Sequence, residues 1–275
     1  MKLQPESPAC HAARTLFEPV ADLLHRFDAP WLPDVATLDA LLHEIAPGTV
    51  TASGKPVRFD AGPAPAEGYE ARIHDTGAVP TREQDWHDFF NALSWCVWPR
   101  SKAALNAAHV REIEARRAAG IAGRGPLRDA LTQFDECGLL VVSSDPDIPA
   151  LLSAHEWLEV FWQRRAQLAG NTAFLVFGHG SWEQLRSPFV GLCAKTLYRV
   201  TSPAWFELSP AARQRETDTW LATQISGGEL LNSPRALRPL PLLGIPGVTP
   251  DSAGADYYLD TRQFRPPPEA RRRRA

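Results

Sequence analysis

Lysine and methionine are nearly missing from this chain. Of 29 basic residues only Lys2, Lys55, Lys102 and Lys195 are lysine, and Met1 is the single methionine. Against that background a lysine is informative, because a compact ammonium fits narrow sites and changes protonation where a guanidinium cannot. Cysteine is sparse too. Cys10, Cys96, Cys137 and Cys193 form no C-x-x-C pair, which removes a zinc ribbon, an iron–sulfur site and a redox dithiol by their usual signatures. No apolar run approaches the roughly 20 residues of a membrane span; the longest are Leu139–Val142 and Ala173–Phe177. The first twenty residues carry Lys2, Glu6, His11 and Arg14 with no apolar core, so no secretory signal is read and a cytoplasmic protein is expected. The net charge is only −3. That leaves no polycation to coat nucleic acid or an anionic bilayer, and neither is an expected partner. H-x-x-x-H, G-x-S-x-G, Walker and G-x-G-x-x-G motifs are absent as well.

What is present suits a folded protein of 275 residues, 44% hydrophobic and 22% charged, long enough to bury a substantial core. The 25 prolines are clustered. Residues 1–33 read as an N-terminal wrapping segment, 34–267 as a single main domain, and 268–275 as a disordered basic tail around Arg271–Arg274. Within 47–80, Val57–Phe59 and Tyr69–Ile73 read as brief extended pieces.

Periodicity predicts helices over Asp34–Ile45, Trp86–Trp98 and Ser101–Ala119, and from Pro126 to Cys137, with Gly138 as a left-handed helix stop. The apolar runs Leu139–Ser144 and Thr172–Phe177 read as strands, joined by one long helix over Pro149–Gln167. Strand, helix and strand in that order predict a parallel βαβ unit at about 139–177. A helix opens near Ser181, another runs over Ala211–Ile225, Pro239–Gly247 reads as turn-dense coil, and Tyr257–Phe264 reads as a closing edge strand. The fold class is therefore α/β or α+β, helix-rich, with a small, mainly parallel sheet and helical layers.

Two places break local rules. Gly178-His179-Gly180 follows the second strand, and glycines on both sides of an imidazole would let a ligand approach the backbone. Asp135 and Glu136 sit in the last turn of a helix, where the dipole disfavours acids by about 0.3–1 kcal/mol each. Such an acid marks either an ion pair or a functional site. Around them, His87, Asn91 and Ser94 share one helical face, and Lys102, Asn106 and His109 share a face of the next helix. Trp86, Trp95 and Trp98 read as core. The candidate catalytic residues are therefore His179, Glu136, Asp135 and Lys102. Asn91, Asn106, His109, Gly178 and Gly180 would contact ligand, and Asp129, Asp135 and Glu136 would supply oxygen ligands to any divalent metal ion.

The blocks Trp86–Trp95 with Pro99, Lys102, Asn106 and His109, then Arg128–Thr132, Phe134–Gly138, Phe177–Gly180, and Pro241–Gly247 with Phe264–Pro266, resemble the bacterial domain family DUF3025 from about Pro30 to Pro267. One departure is Val248, where a tryptophan is expected. The resemblance implies a bacterial cytoplasmic protein and assigns no activity.

Two functional readings stay open. One is a hydrolase-like enzyme for a small or phosphate-bearing ligand, with or without a divalent metal ion, in which His179 is an acid/base near neutral pH. The other is a non-catalytic ligand- or partner-binding protein whose polar residues form a structural network.

Overall fold

The computed structural model describes residues 6–62, 68–228 and 230–267, so the Arg271–Arg274 tail lies outside the described residues. Helix α1 (Val35–Ile45) starts where the Asp34 carboxylate accepts the Thr37 amide at 2.8 Å. Tyr69–Ile73, expected to be extended, belongs instead to helix α2 (Tyr69–Thr76). Tyr69 and Ile73 stand one turn apart and both pack on the core. Asp85 caps α3 (Trp86–Val97) through the Asp88 amide. Helix α4 (Pro99–Ala118) begins on Pro99, which has no N–H to satisfy. The next two amides, Arg100 and Ser101, donate to the Asp218 carboxylate at 3.1 and 2.9 Å. Helix α5 (Pro126–Cys137) has the boundaries that Pro126 and Gly138 suggest.

Gly138 is not left-handed, however. Its backbone is extended, and a Cβ there would lie 2.3 Å from the Phe134 carbonyl oxygen. Glycine is needed because the chain turns straight from helix into strand against its own last turn.

Two short strands, β1 (Arg58–Asp60) and β2 (Ala78–Pro80), pair in parallel. The main sheet comprises β3 (Gly138–Ser143), β4 (Thr172–Val176), β5 (Cys193–Val200) and β6 (Arg238–Pro241) in the order β4-β3-β5-β6. Strand β3 is buried at every position, as its unbroken apolar run implies.

The expected parallel βαβ unit is corrected. Strands β3 and β4 are antiparallel, with Leu139 opposite Val176 and Ser143 opposite Thr172. The parallel partner of β3 is β5, and β5 and β6 are antiparallel, so this sheet is mixed rather than mainly parallel. The cause lies in the connection. A crossover needs one helix long enough to traverse the sheet, whereas residues 147–168 are broken. Helix α6 (Asp147–Ser153) ends before His155 at φ 64, a wide π turn covers Glu159–Gln163, and a short piece spans Arg165–Leu168. The chain goes out and returns at the same end of the sheet. Tyr257–Phe264 is likewise not a strand; Ala255–Leu259 is 3-10 helix.

Helix α7 (His179–Leu185) follows β4 directly, and α8 (Pro210–Gly227) packs along α4. The tryptophans Trp95, Trp98 and Trp182 are fully buried, with Phe89, Phe90, Phe134 and Phe177 among the other large core side chains. Trp98 and Trp182 donate their indole N–H groups to the Val176 and Leu16 carbonyls at 3.2 and 3.0 Å. Trp86 is half-buried, and the Arg186 guanidinium lies 3.7 Å from the centre of its ring. Phe17, Val20 and Leu24 from the N-terminal segment belong to the same hydrophobic cluster as β3. No helix among the described residues is long and apolar enough to cross a membrane.

Candidate functional site

The antiparallel return of β4 sets the end of one strand beside the start of another. Phe177 and Gly178 donate their amides to the Gly138 carbonyl, both at 2.9 Å. His179 therefore sits against the end of α5, where Asp135 and Glu136 stand. The flanking glycines make room for the chain rather than for a ligand. A Cβ at Gly178 would lie 2.3 Å from the Gly138 nitrogen and one at Gly180 2.9 Å from a Glu136 carboxylate oxygen.

A second imidazole comes from the first turn of α3. His87 Nε2 is 3.1 Å from His179 Nε2, the rings meeting edge to face. One Glu136 oxygen is 3.7 Å from His87 Nε2 and the other 3.7 Å from His179 Nε2. On its far side, His87 Nδ1 lies 3.0 Å from Glu183 Oε2. A carboxylate only accepts, so Nδ1 carries the proton and the lone pair of neutral His87 is on Nε2. His179 Nδ1 faces Asp135, whose Oδ2 is 3.9 Å away. Each imidazole thus has a carboxylate behind it and turns Nε2 toward Glu136. Burial pushes the His179 imidazole down to about 3 against the partial pull of Asp135, so it is neutral near pH 7 and not an acid/base poised there. Burial raises the Glu136 carboxyl above its ordinary value, with His87 opposing. Among the described residues no lysine or arginine pairs with Glu136. The outer side is open: the side chains of His87, Glu136 and Glu183 are 31%, 43% and 41% exposed.

The other residues singled out from the sequence lie deeper. Lys102 Nζ donates to Asp135 Oδ1 at 2.5 Å and to Asn91 Oδ1 at 2.9 Å. Burial alone would raise the Asp135 carboxyl, but the Lys102 ammonium and the neighbouring imidazoles hold it below its usual range. Asn91 Nδ2 donates to the Tyr69 hydroxyl at 3.4 Å. Asn106 Nδ2 donates to Glu70 Oε2 at 2.7 Å and to the Glu70 carbonyl at 2.9 Å, and His109 Nε2 is 3.8 Å from Glu70 Oε1. Asp129 is not part of this assembly. It is half-exposed and pairs with Arg124 at 3.3 Å, two turns before Glu136 on the same helix.

Four further residues contribute: His87, Glu183, Tyr69 and Glu70. The sequence signal for His87 is the helical face it shares with Asn91 and Ser94. The other three acquire meaning only from tertiary contacts.

Glu6, Cys10 and His11 bring ligand-type atoms together, but Arg186 Nε donates to Glu6 at 2.8 Å and Arg14 lies 3.0 Å from His11 Nδ1, so cations already engage two of the three. A groove of about 1060 Å³ between the N-terminal segment and α8, edged by Asp22, Arg26, Arg100 and Glu216, contains none of the residues picked from the sequence.

The geometry defines an α+β protein with a ligand-type polar centre at one end of its sheet. The chain belongs to the family described as Protein of unknown function (DUF3025), whose model matches residues 57–268. No curated protein and no solved structure matches it.

Proposed function

We propose that this protein is a hydrolase-like enzyme whose centre is a divalent metal ion held by His87 Nε2, His179 Nε2 and the Glu136 carboxylate, acting on a small molecule. The observation that carries this reading is the convergence of two imidazole Nε2 atoms and a carboxylate, all three donors within 3.7 Å of one another. Two histidines and one carboxylate form a common catalytic donor set with positions left open for water and substrate. Glu183, 3.0 Å from His87 Nδ1, supplies an outer carboxylate that fixes that ring and raises its basicity, while Asp135, 3.9 Å from His179 Nδ1, adds negative charge behind the second ring without a hydrogen bond. The neutral, buried His179 suits a ligand, since no proton must be displaced from it near pH 7. A metal ion there would lower the pKa of a bound water and give a nucleophile at the open side.

Asp129, Asp135 and Glu136 as a joint oxygen cage is not the arrangement proposed: only Glu136 faces both imidazoles, while Asp135 is engaged by Lys102. A phosphate cradle at the start of α7 is not favoured either, because backbone and the Glu136 carboxylate fill the space over Gly178 and Gly180.

The test is metal titration of chelator-stripped protein with Zn²⁺, Mn²⁺, Co²⁺ and Fe²⁺, followed by a panel of ester, amide and phosphoester substrates. One ion per chain, lost in His87→Ala and in Glu136→Gln, is expected, with turnover that requires it. Absence of saturable binding, with an unchanged melting temperature for every ion, overturns the metal centre. Binding without hydrolysis of any substrate class overturns the enzyme reading and leaves a metal-binding protein.

A further inference from the structure

Behind the proposed metal centre lies a second polar compartment. A cavity of about 20 Å³ is lined by Tyr69, Glu70, Trp95, Lys102, Asn106, His109 and Asp135, enough for one water-sized group. Glu70 is partly exposed at its mouth, while Lys102, Asn106 and His109 are buried.

The hydrogen-bond inventory of this cavity is one-sided. Lys102 is engaged by Asp135 and Asn91. Asn106 spends its amide N–H on Glu70, which leaves Asn106 Oδ1 buried with no donor, and His109 Nδ1 is buried without a partner too. Among the described residues no lysine or arginine pairs with Glu70; Lys102 and Arg128 act on it only through space, and Arg128 Nε is itself buried without a partner. With His109 Nε2 toward Glu70, a neutral His109 offers a lone pair at Nδ1. Acceptors therefore outnumber donors: Asn106 Oδ1, His109 Nδ1 and Glu70 Oε1 against one remaining Lys102 N–H and the Tyr69 hydroxyl. The single Lys102 ammonium is committed to Asp135 and Asn91, which leaves the second carboxyl group of the cavity, Glu70, without a contacting cation. The Trp95 ring already faces the Lys102 ammonium, 5.6 Å from its centre, and Tyr69 adds a second aromatic wall.

The geometry points to this cavity as a binding site for the ammonium head of a primary amine, held by Glu70, Asn106 Oδ1 and His109 Nδ1. The site stands on these contacts alone. Asp135 forms a wall between this cavity and the proposed metal centre, with one oxygen on Lys102 and the other 3.9 Å from His179 Nδ1, so the amine site does not depend on that centre.

The experiment titrates ammonium, methylammonium, tetramethylammonium and sodium chlorides at constant ionic strength, on metal-loaded and chelator-stripped protein. Melting temperature and intrinsic tryptophan fluorescence are read throughout, the latter against Trp95→Phe because the chain holds nine tryptophans. Saturable responses to ammonium and methylammonium, and none to sodium or to tetramethylammonium, which lacks N–H donors, are expected in both preparations. Glu70→Gln should weaken binding by about tenfold or more, the usual worth of one charge-assisted hydrogen bond. Asn106→Leu, which removes the Oδ1 acceptor, should weaken it as well. Indistinguishable sodium and ammonium curves, or Glu70→Gln binding as well as the native chain, would mean an ordered water only and overturn the proposal. A response that vanishes on chelation would place the amine on the metal and overturn it equally. If the response survives chelation but the protein holds no metal, the amine site stands and the reading of the centre falls.

Discussion

Lys102, Asn91, Asp135, Asn106 and Glu70 form an inner cluster, while His87, His179, Glu136 and Glu183 form an outer one, and the same helices α3 and α5 contribute to both. Inside, the ammonium is engaged by two oxygen acceptors at 2.5 and 2.9 Å. Outside, two imidazoles and a carboxylate approach within 3.7 Å with no fixed cation among them. Neighbouring residues on one helix have thus taken opposite roles: Asp135 is engaged by Lys102 and stabilises packing, whereas Glu136 is left facing donors of its own kind. The Lys102–Asp135 pair of the inner cluster is expected to govern stability, and the outer cluster metal binding.

The contrast can be broken most forcefully at Asp135. Asp135→Ala leaves the Lys102 ammonium buried without its countercharge and should cost about 3–5 kcal/mol of stability in urea unfolding. A loss under about 1 kcal/mol would show that the pair contributes little.

Glu70 offers a pH test. Burial raises its carboxyl to about 7 from 4.5, so the folded protein binds a proton that the unfolded chain releases. Its contribution is fully present below about pH 4.5 and is lost as pH rises to about 7, a span of about 3 kcal/mol. Burial lowers His109 to about 4, which acts in the opposite sense between pH 6.5 and 4 and masks part of this. The difference between native protein and Glu70→Gln, followed by urea unfolding across that range, isolates the Glu70 slope.

Two smaller effects sharpen the outer side. Gly180→Ala puts a Cβ 2.9 Å from a Glu136 oxygen; displacing that carboxylate should weaken metal binding by about tenfold, measured by competition with a chromogenic chelator. His87→Ala in chelator should change stability by no more than about 1 kcal/mol, because the side chain is partly exposed. A larger loss in thermal unfolding would move His87 into the structural set.

Much of this architecture is legible in the sequence, and its failures are physically specific. The limits of α5 follow from Pro126 and Gly138, and β3 and β4 from their apolar runs. Strand direction does not follow, because it depends on a helix broken at His155, where a non-glycine residue at φ 64 gives no signal in composition. The error bears on the site. Parallel strands would have carried His179 to the end of the sheet opposite Asp135 and Glu136; the antiparallel pairing brings them together. His179 stands out through its two glycines, although those glycines serve close contact with α5. Glu136 stands out because the end of a helix disfavours it. His87 shares its stripe with Asn91, but Glu183 and Glu70 are ordinary helical acids until tertiary contacts give them partners.

The Asp218 cap on α4 has a practical consequence. The first turn of the helix that holds Lys102 is tied off by a carboxylate on α8, more than a hundred positions later in the chain. A fragment truncated before residue 210 would lose that cap, one and two residues before the lysine, together with the helix that packs along α4, so substitution within the intact polypeptide is the way to dissect this polar seam.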